Sequence, residues 1–258
     1  MSAGEIAALL VVAMLGHVMA GIWYVAYKNE WKLCEKKIYD IRISDKQLRR
    51  ELLNSIHTPI HAVILAAFLA AGCFSERSWA GFLATLVLAF VWAEIWHYLS
   101  HRAMHLKFLH WIHAEHHKSH INSPFTAISF SFTEKLIFDL GYVGGLALVD
   151  SVISLNFYGI VTWFVGYLMV NSFGHANFEF RSENYNAAFG KVLTTSAYHS
   201  LHHSRYTGNY GLATRILDKI FATEWTDYER LYARVTGEGP PLRTLQERVV
   251  ERDDRKPD

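Results

Sequence analysis

The 258 residues predict an all-α, polytopic membrane helical bundle of about four to five spans. A cytoplasmic helical cap is expected to hold a histidine-rich dimetal site. Three observations predict this fold class. Apolar residues gather in runs long enough to cross a hydrocarbon core of roughly 30 Å. Only 19% of the residues are charged, against roughly 25% in an ordinary soluble domain. Fifteen histidines are present, and most fall in tight groups with helical spacing.

The first run, Ile6 to Tyr27, carries no charge. No Lys or Arg precedes it and no convincing small-residue cleavage site follows, so a retained span is expected instead of a signal peptide. A second run extends from His57 to Phe74, and a third from Gly81 to about Trp96. Residues Leu136 to Gly174 suit two short spans folded as a hairpin, with the turn near Asn156. Asp139 and Asp150 interrupt that stretch, and Asp139 is expected to face protein or the interface.

Orientation follows from the basic residues. Lys28, Lys32, Lys36, Lys37, Arg42, Lys46, Arg49 and Arg50 crowd the loop after the first span, whereas the leader has none and the link after the second run has only Arg77. The positive-inside rule puts that loop in the cytoplasm. Counting spans forward puts every dense histidine group on the same side. Within the loop, Trp31, Cys34, Ile38 and Ile41 have helical spacing, which fits a helix on the membrane surface or a solvated connecting helix.

No Gly or Pro occurs from Phe82 to Ser123. A continuous helix of that length reaches about 60 Å at 1.5 Å per residue, so its end projects into the cytoplasm or bends there. Three regions result: 1–80, spans and basic loop; 81–225, a catalytic domain; 226–258, a charged tail ending in Asp-Asp-Arg-Lys-Pro-Asp, expected to be disordered at its end. The net charge of +1 gives no electrostatic case for nucleic acid. The two cysteines, Cys34 and Cys73, show neither disulfide nor thiolate-metal spacing.

The histidines form four groups: His97-Tyr-Leu-Ser-His101-Arg-Ala-Met-His105, His113-Ala-Glu-His116-His117, the single His175, and His199-Ser-Leu-His202-His203. Residues at i, i+3 and i+4 share a helical face, so each group can grip a metal. Adjacent histidines point about 100° apart and can therefore ligate two different metals. The two H-x-x-H-H groups and one H-x-x-x-H group supply eight imidazoles, and His175 makes nine. That is too many for one tetrahedral zinc and suits two metals. Imidazole fits Fe, Zn, Cu and Ni, and the absence of cysteine disfavours copper(I) and iron–sulfur chemistry. Without H-E-x-x-H there is no zinc-protease base. A membrane setting tilts the choice toward two non-haem Fe ions, which with O₂ can attack an alkane-like carbon; zinc can substitute in purified protein. His17, His57 and His61 read as packing or interfacial residues, and His110 and His120 as helix-surface residues or partners of ligands.

These groups resemble the fatty acid hydroxylase/sterol desaturase superfamily in their order and gaps, from about Glu94 to Thr223. Box one, with Trp96-His97-Tyr98 and His101-Arg102-Ala-Met-His105, is similar to that of C-4 methylsterol oxidases. So is the ending, His199 to Gly211 followed by Leu217-Asp218-Lys-Ile-Phe221-Ala-Thr223. The resemblance favours His101 and His105 as ligands, with His97 auxiliary. It implies metal and catalytic roles for His101, His105, His113, His116, His117, His175, His199, His202 and His203. It also implies a di-iron site, O₂ as oxidant, a lipid substrate, and electrons from a cytochrome b5-like or ferredoxin-type donor through an NAD(P)H reductase. The expected reaction is hydroxylation or desaturation of a lipid C–H bond.

Glu94, Glu115, Glu134, Asn177 and Asp218 are candidates for orienting imidazole N–H groups, Asp218 foremost. Two departures from the superfamily pattern stand out. Phe130 to Glu134 lacks a His found in many members, and Glu179 stands where some members have another. The alternatives are a membrane metal transporter, whose ligands should lie near the bilayer midplane, and a zinc-bound structural protein without oxygenase activity.

Overall fold

The computed structural model describes residues 1–237 and 239–249. Among them it is α-helical, with three 3-10 turns and isolated bridge pairs in place of strands. The final Asp-Asp-Arg-Lys-Pro-Asp, expected to be disordered, lies outside the described residues.

Five helices build the bundle. Helix α1 (Ala3–Lys28) opens with a capping box between Ser2 and Glu5. Helix α2 (Asp45–Asn54) leads through a 3-10 turn and Pro59 into α3 (Ile60–Ala70). Helix α4 (Trp79–Met104) is followed by the short α5 (His110–His117). Helices α6 (Phe132–Asp150) and α7 (Phe157–Gly174) are joined by a short turn at the expected place, but they do not pack on each other as the expected hairpin: α4 lies against both. The turn ends at Asn156, whose side chain caps α7 by accepting from the Tyr158 and Gly159 amides.

Packing closes a ring in the order α1, α3, α6, α4, α7 and back to α1. Leu65, Tyr142, Phe157, Ile160 and Phe164 fill its interior. Gly141 and Gly145 of α6 make room for the indoles of Trp96 and Trp92, whose N–H groups donate to the Phe138 and Gly141 carbonyls. The outer faces remain apolar: Leu10, Val11, Met14 and Val18 on α1, and Leu83, Val87 and Val91 on α4, are exposed. Water tolerates contiguous apolar faces of this kind poorly; lipid does not penalise them. Three stretches are long and apolar enough to cross a membrane: Ala3–Lys28, Asp45–Ala70 and Trp79–Met104. Asp139 is buried and paired with Lys135 at 2.7 Å, one helical turn away.

The cap consists of α5, α8 (Glu183–Ala188), α9 (Ser196–Arg205), α10 (Ile216–Ile220) and α11 (Tyr228–Thr236). Tyr198 and Leu201 of α9 meet Tyr228, Leu231, Tyr232 and Val235 of α11 in a second core.

One expectation is narrowed and one corrected. Of the two courses expected for Phe82 to Ser123, projection or a bend, the chain takes the bend. Helix α4 stops at Met104, and i→i+3 bonds from Leu106 to Ala103 and from Leu109 to Leu106 turn the chain. The turn needs no Gly or Pro, and it folds His105 back to within 5.1 Å of the His113 ring. The basic loop is not an amphipathic helix. Beyond the 3-10 turn Lys32–Cys34 it is extended: the Ile38 amide bonds Asn177, and Leu242 bonds the Ile38 carbonyl. Ile38 and Tyr39 are thereby buried in the cap core.

Candidate metal centre

Two histidine groups sit at the ends of bundle helices and two on the short helices α5 and α9. His101 lies in the last turn of α4 and His105 caps that helix. Helix α5 carries His113, His116 and His117. His175 caps the C-terminus of α7. Helix α9 carries His199, His202 and His203, and every one of its residues is buried. Its N-cap, Thr195, accepts from the Tyr198 amide at 3.2 Å, an interaction typically worth about 1 kcal/mol.

The fold gathers these nine side chains into two nests. His101, His105, His113, His117 and His202 bring one nitrogen each within 4.8 Å of one another, and His116, His175, His199 and His203 do the same. The adjacent pairs are divided: His116 and His117 serve different nests, as do His202 and His203. Either nest could hold a metal ion.

Hydrogen bonding fixes how most of the rings face. The Nδ1–H groups donate to backbone carbonyls: His101 to Tyr210 (2.9 Å), His116 to Ser129 (2.9 Å), His175 to Asn171 (2.7 Å), His202 to Gly208 (2.8 Å) and His203 to Ser119 (3.0 Å). A carbonyl only accepts, so each of these rings carries its proton on Nδ1 and presents the Nε2 lone pair inward. His113 Nδ1 meets Glu134 Oε1 at 2.5 Å. Inside the nests, His101 Nε2 and His113 Nε2 stand 3.0 Å apart, and His116 Nε2 and His175 Nε2 stand 3.3 Å apart. His203 Nε2 is buried without a hydrogen-bond partner among the described residues.

Protonation does not offer a way out. Burial, reinforced by neighbouring imidazoles, holds His113, His117, His199, His202 and His203 well below the ordinary histidine pKa; burial also lowers that of His175, to about 4. The rings are therefore neutral at physiological pH, the state in which imidazole binds metal. Lone pairs converging from several neutral rings fit a cation between them. The donor set is all nitrogen, with no thiolate.

Of the five candidates for orienting imidazoles, Glu134 alone touches one. Glu94 accepts from the Thr214 amide at 2.9 Å, and Glu115 pairs with Lys118 and Asn54. Asn177 bonds the Tyr39 backbone. Asp218 reaches no ring; it accepts from the Tyr210 and Gly211 amides at 2.9 and 2.7 Å and so holds the loop whose Tyr210 carbonyl faces His101. His97 belongs to neither nest; its Nδ1 meets the Tyr142 hydroxyl at 2.9 Å. His110 meets the Tyr206 hydroxyl, and His61 meets the Val12 carbonyl. Where superfamily members often carry a further His, Phe130 stacks on the His116 ring at 4.8 Å. Glu179 instead accepts from the Ala197 amide at the start of α9.

Sequence reasoning missed Glu51 and the carbonyl acceptors. Glu51 is fully buried in α2 and accepts from Ser119, Ser123 and Thr126, pinning the strand of chain whose Ser119 carbonyl orients His203. Backbone carbonyls carry no signal in residue type; a buried acid beside a Ser/Thr-rich segment carries a faint one.

A helical bundle with membrane-length apolar helices and paired imidazole nests defines a membrane protein built around a metal-binding site. The sequence model described as Fatty acid hydroxylase matches residues 86–223, more than half of the chain, and the protein belongs to that family. Among curated relatives, "Very-long-chain aldehyde decarbonylase GL1-6" of Oryza sativa subsp. indica is 27% identical over 231 residues, covering 83% of this chain and 35% of the relative. "Protein CER1-like 1" of Arabidopsis thaliana is 26% identical, covering 88% and 38%. "Very-long-chain aldehyde decarbonylase CER1" of the same plant is 27% identical, covering 58% and 24%. The chain thus spans little more than a third of the relatives' length at most. The motif likeness to C-4 methylsterol oxidases has no counterpart among these three. No solved structure matches the chain.

Proposed function

We propose that the protein is a membrane-bound non-haem di-iron oxidoreductase that uses O₂ to hydroxylate or desaturate a C–H bond of a lipid. The observation that carries this reading is the division of His116 from His117 and of His202 from His203 between two nests. Two ions held by shared helix turns are the simplest use of that division. His101, His105, His113, His117 and His202 hold one ion; His116, His175, His199 and His203 hold the other. Five imidazoles exceed the four ligands of a structural zinc site, which favours iron. When bound, the iron pair supplies O₂ activation and hydrogen removal from an unactivated carbon.

The chain's own residues do the rest. Carbonyls of Tyr210, Ser129, Asn171, Gly208 and Ser119 lock the ring tautomers, and Glu134 orients His113. The buried rings of Phe130 and Tyr210 help to exclude water. Electrons come from a cytochrome b5-like or ferredoxin-type donor with its NAD(P)H reductase. The basic loop supports a cytoplasmic location for the nests. Ligands at helix ends, where His101 and His175 stand, speak for an enzyme over a transporter with a midplane site.

The named relatives favour one variant of this reading, in which the lipid is a very-long-chain aldehyde. Purified protein should contain about two iron ions per chain and consume O₂ with lipid and a reductase present. Mass spectrometry of the products separates alcohol, alkene and chain-shortened hydrocarbon. Zinc alone, with no O₂ consumption under any reductant, sinks the proposal.

A further inference from the structure

Ions bound for nine clustered imidazoles need a way in. The second nest is closed, since His116, His175, His199 and His203 are all buried. In the first nest four rings are buried and only His105 is part-exposed. His105 stands at the C-cap of α4, where the chain turns toward α5. No carbonyl or carboxylate among the described residues holds its ring, and its Nε2 has no hydrogen-bond partner there. The ring at the mouth is thus free to turn, unlike His101 or His202.

Outside it lie side chains that neither nest uses. His110, the first residue of α5, has its ring centroid 6.1 Å from that of His105. Its Nε2 is 3.3 Å from the Tyr206 hydroxyl. The Tyr206 ring covers the rim, 4.7 Å from His117 and 6.0 Å from His105. A backbone at φ +72° puts it there, a conformation that bulky L residues avoid and keep only where the surrounding structure dictates it. The His120 ring lies 6.0 Å from Tyr206. His120, Lys107 and Thr207 are exposed, so water reaches this edge.

Spacing decides what the outer group can do. Ring centroids within the first nest, where one ion would be shared, are 4.4 to 6.5 Å apart. His105 and His110 fall inside that range, so one ion can span them, with the Tyr206 oxygen as a third ligand. Two imidazoles and a phenol oxygen suit a divalent first-row cation. Three ligands hold it less firmly than the five of the nest, so the ion passes on inward. His105 serves both places, because its ring is untied.

We propose that His110, the Tyr206 hydroxyl and His105 form an outer station that captures a divalent first-row cation from water and hands it to the first nest. The inference rests on the metal-binding reading of the nests and not on the oxidation chemistry. The ion keeps its charge throughout; it exchanges water and the outer ligands for the imidazoles of the nest.

The test uses the full chain in lipid nanodiscs, stripped of metal and mixed rapidly with Co²⁺, uptake being followed by the cobalt absorption and final content by elemental analysis. Losing one supporting group typically costs about 10–100-fold in metal affinity, so His110→Gln should slow uptake at limiting Co²⁺ about tenfold. Final cobalt content should equal that of wild type, because His110 is no ligand of the loaded nest. Equal content with slower entry requires that release to a chelator slow by the same factor. Tyr206→Phe keeps the ring, removes the oxygen and should also slow uptake. His57→Gln, in the 3-10 turn before α3, should load as wild type. Circular dichroism of the metal-free variants checks folding; should His110→Gln misfold, Tyr206→Phe carries the test. A wild-type uptake rate in either folded variant overturns the station, and so does a lowered final content in His110→Gln. A wild-type chain that takes up no Co²⁺ at equilibrium refutes the nests themselves, a separate failure.

Discussion

His116 and His175 point bare nitrogen lone pairs at each other across 3.3 Å. Each has spent its proton on a backbone carbonyl, His116 on Ser129 and His175 on Asn171. Two acceptors at that separation repel unless a cation lies between them. Chelation should therefore destabilise the protein and not merely inactivate it, because bound metal adds its binding energy to the folded state. A melting temperature indifferent to chelator and to added iron would falsify this.

Substitutions in the two nests should separate them. His202→Ala removes a ligand from the five-membered nest, and His116→Ala one from the four-membered nest. Each should lower iron from about two per chain toward one and abolish O₂-dependent turnover. Elemental analysis of the purified variants checks it; intact iron and activity in either variant defeats the ligand assignment.

Glu134 touches His113 at 2.5 Å and no other ring. Glu134→Gln preserves shape and replaces the carboxyl group that meets the imidazole with an amide, a weaker acceptor. Metal retention against a competing chelator should fall about 10–100-fold, with helix content unchanged by circular dichroism. Asp218→Asn should act differently. It loosens the loop at Tyr210 and Gly211, so its loss should register in stability as well as in metal affinity.

Gly208 adopts φ +81° in the turn after α9, and a Cβ there would lie 2.5 Å from the Thr223 carbonyl. That turn delivers the Gly208 carbonyl to His202. Gly208→Ala should cost about 1–3 kcal/mol of stability and weaken metal retention together, read by thermal melting and iron content. A wild-type melting temperature would show that the turn relaxes freely.

Arg205, buried in α9, makes a two-pronged pair with Asp227 at 2.7 and 2.9 Å. Burial would raise the Asp227 pKa, but the hydrogen bonds from Arg205 and the Val249 amide, with the charges of Arg205 and Arg248, together outweigh it and the pKa is lowered. The unfolded carboxylate, near 3.9, then binds protons more readily than the folded one. The pair's stabilisation is complete above that value and fades as pH falls through the lower folded pKa. Asp227→Ala leaves a buried guanidinium unpaired, at a cost of about 3–5 kcal/mol, and should flatten the acid limb of the stability curve. Retention of the wild-type acid limb would assign it to other groups.

Much of this organisation was legible in residue order. Helical spacing alone divides His116 from His117, and the apolar runs of α1 and α4 declare themselves by length. The turn at His105 was hidden because Leu106 to Leu109 are ordinary helix formers; ring-to-ring contacts among distant histidines decide it. The loop at Ile38 misled for a related reason. Its apolar spacing suits a helix, yet Asn177 and Leu242, far along the chain, offer it backbone partners. The polar environment of the rings was the least legible part, since carbonyls such as those of Ser129 and Tyr210 are supplied by every residue type.

Placing neighbouring histidines of α5 and α9 in different nests has a thermodynamic consequence. An ion held by His117 and His202 would fix the rotation of both helices, and with it the aim of His116 and His203. A second ion would then meet a site already ordered, so the first would lower the entropic cost of the second. Metal loading should be cooperative, with singly loaded protein scarce at every metal concentration.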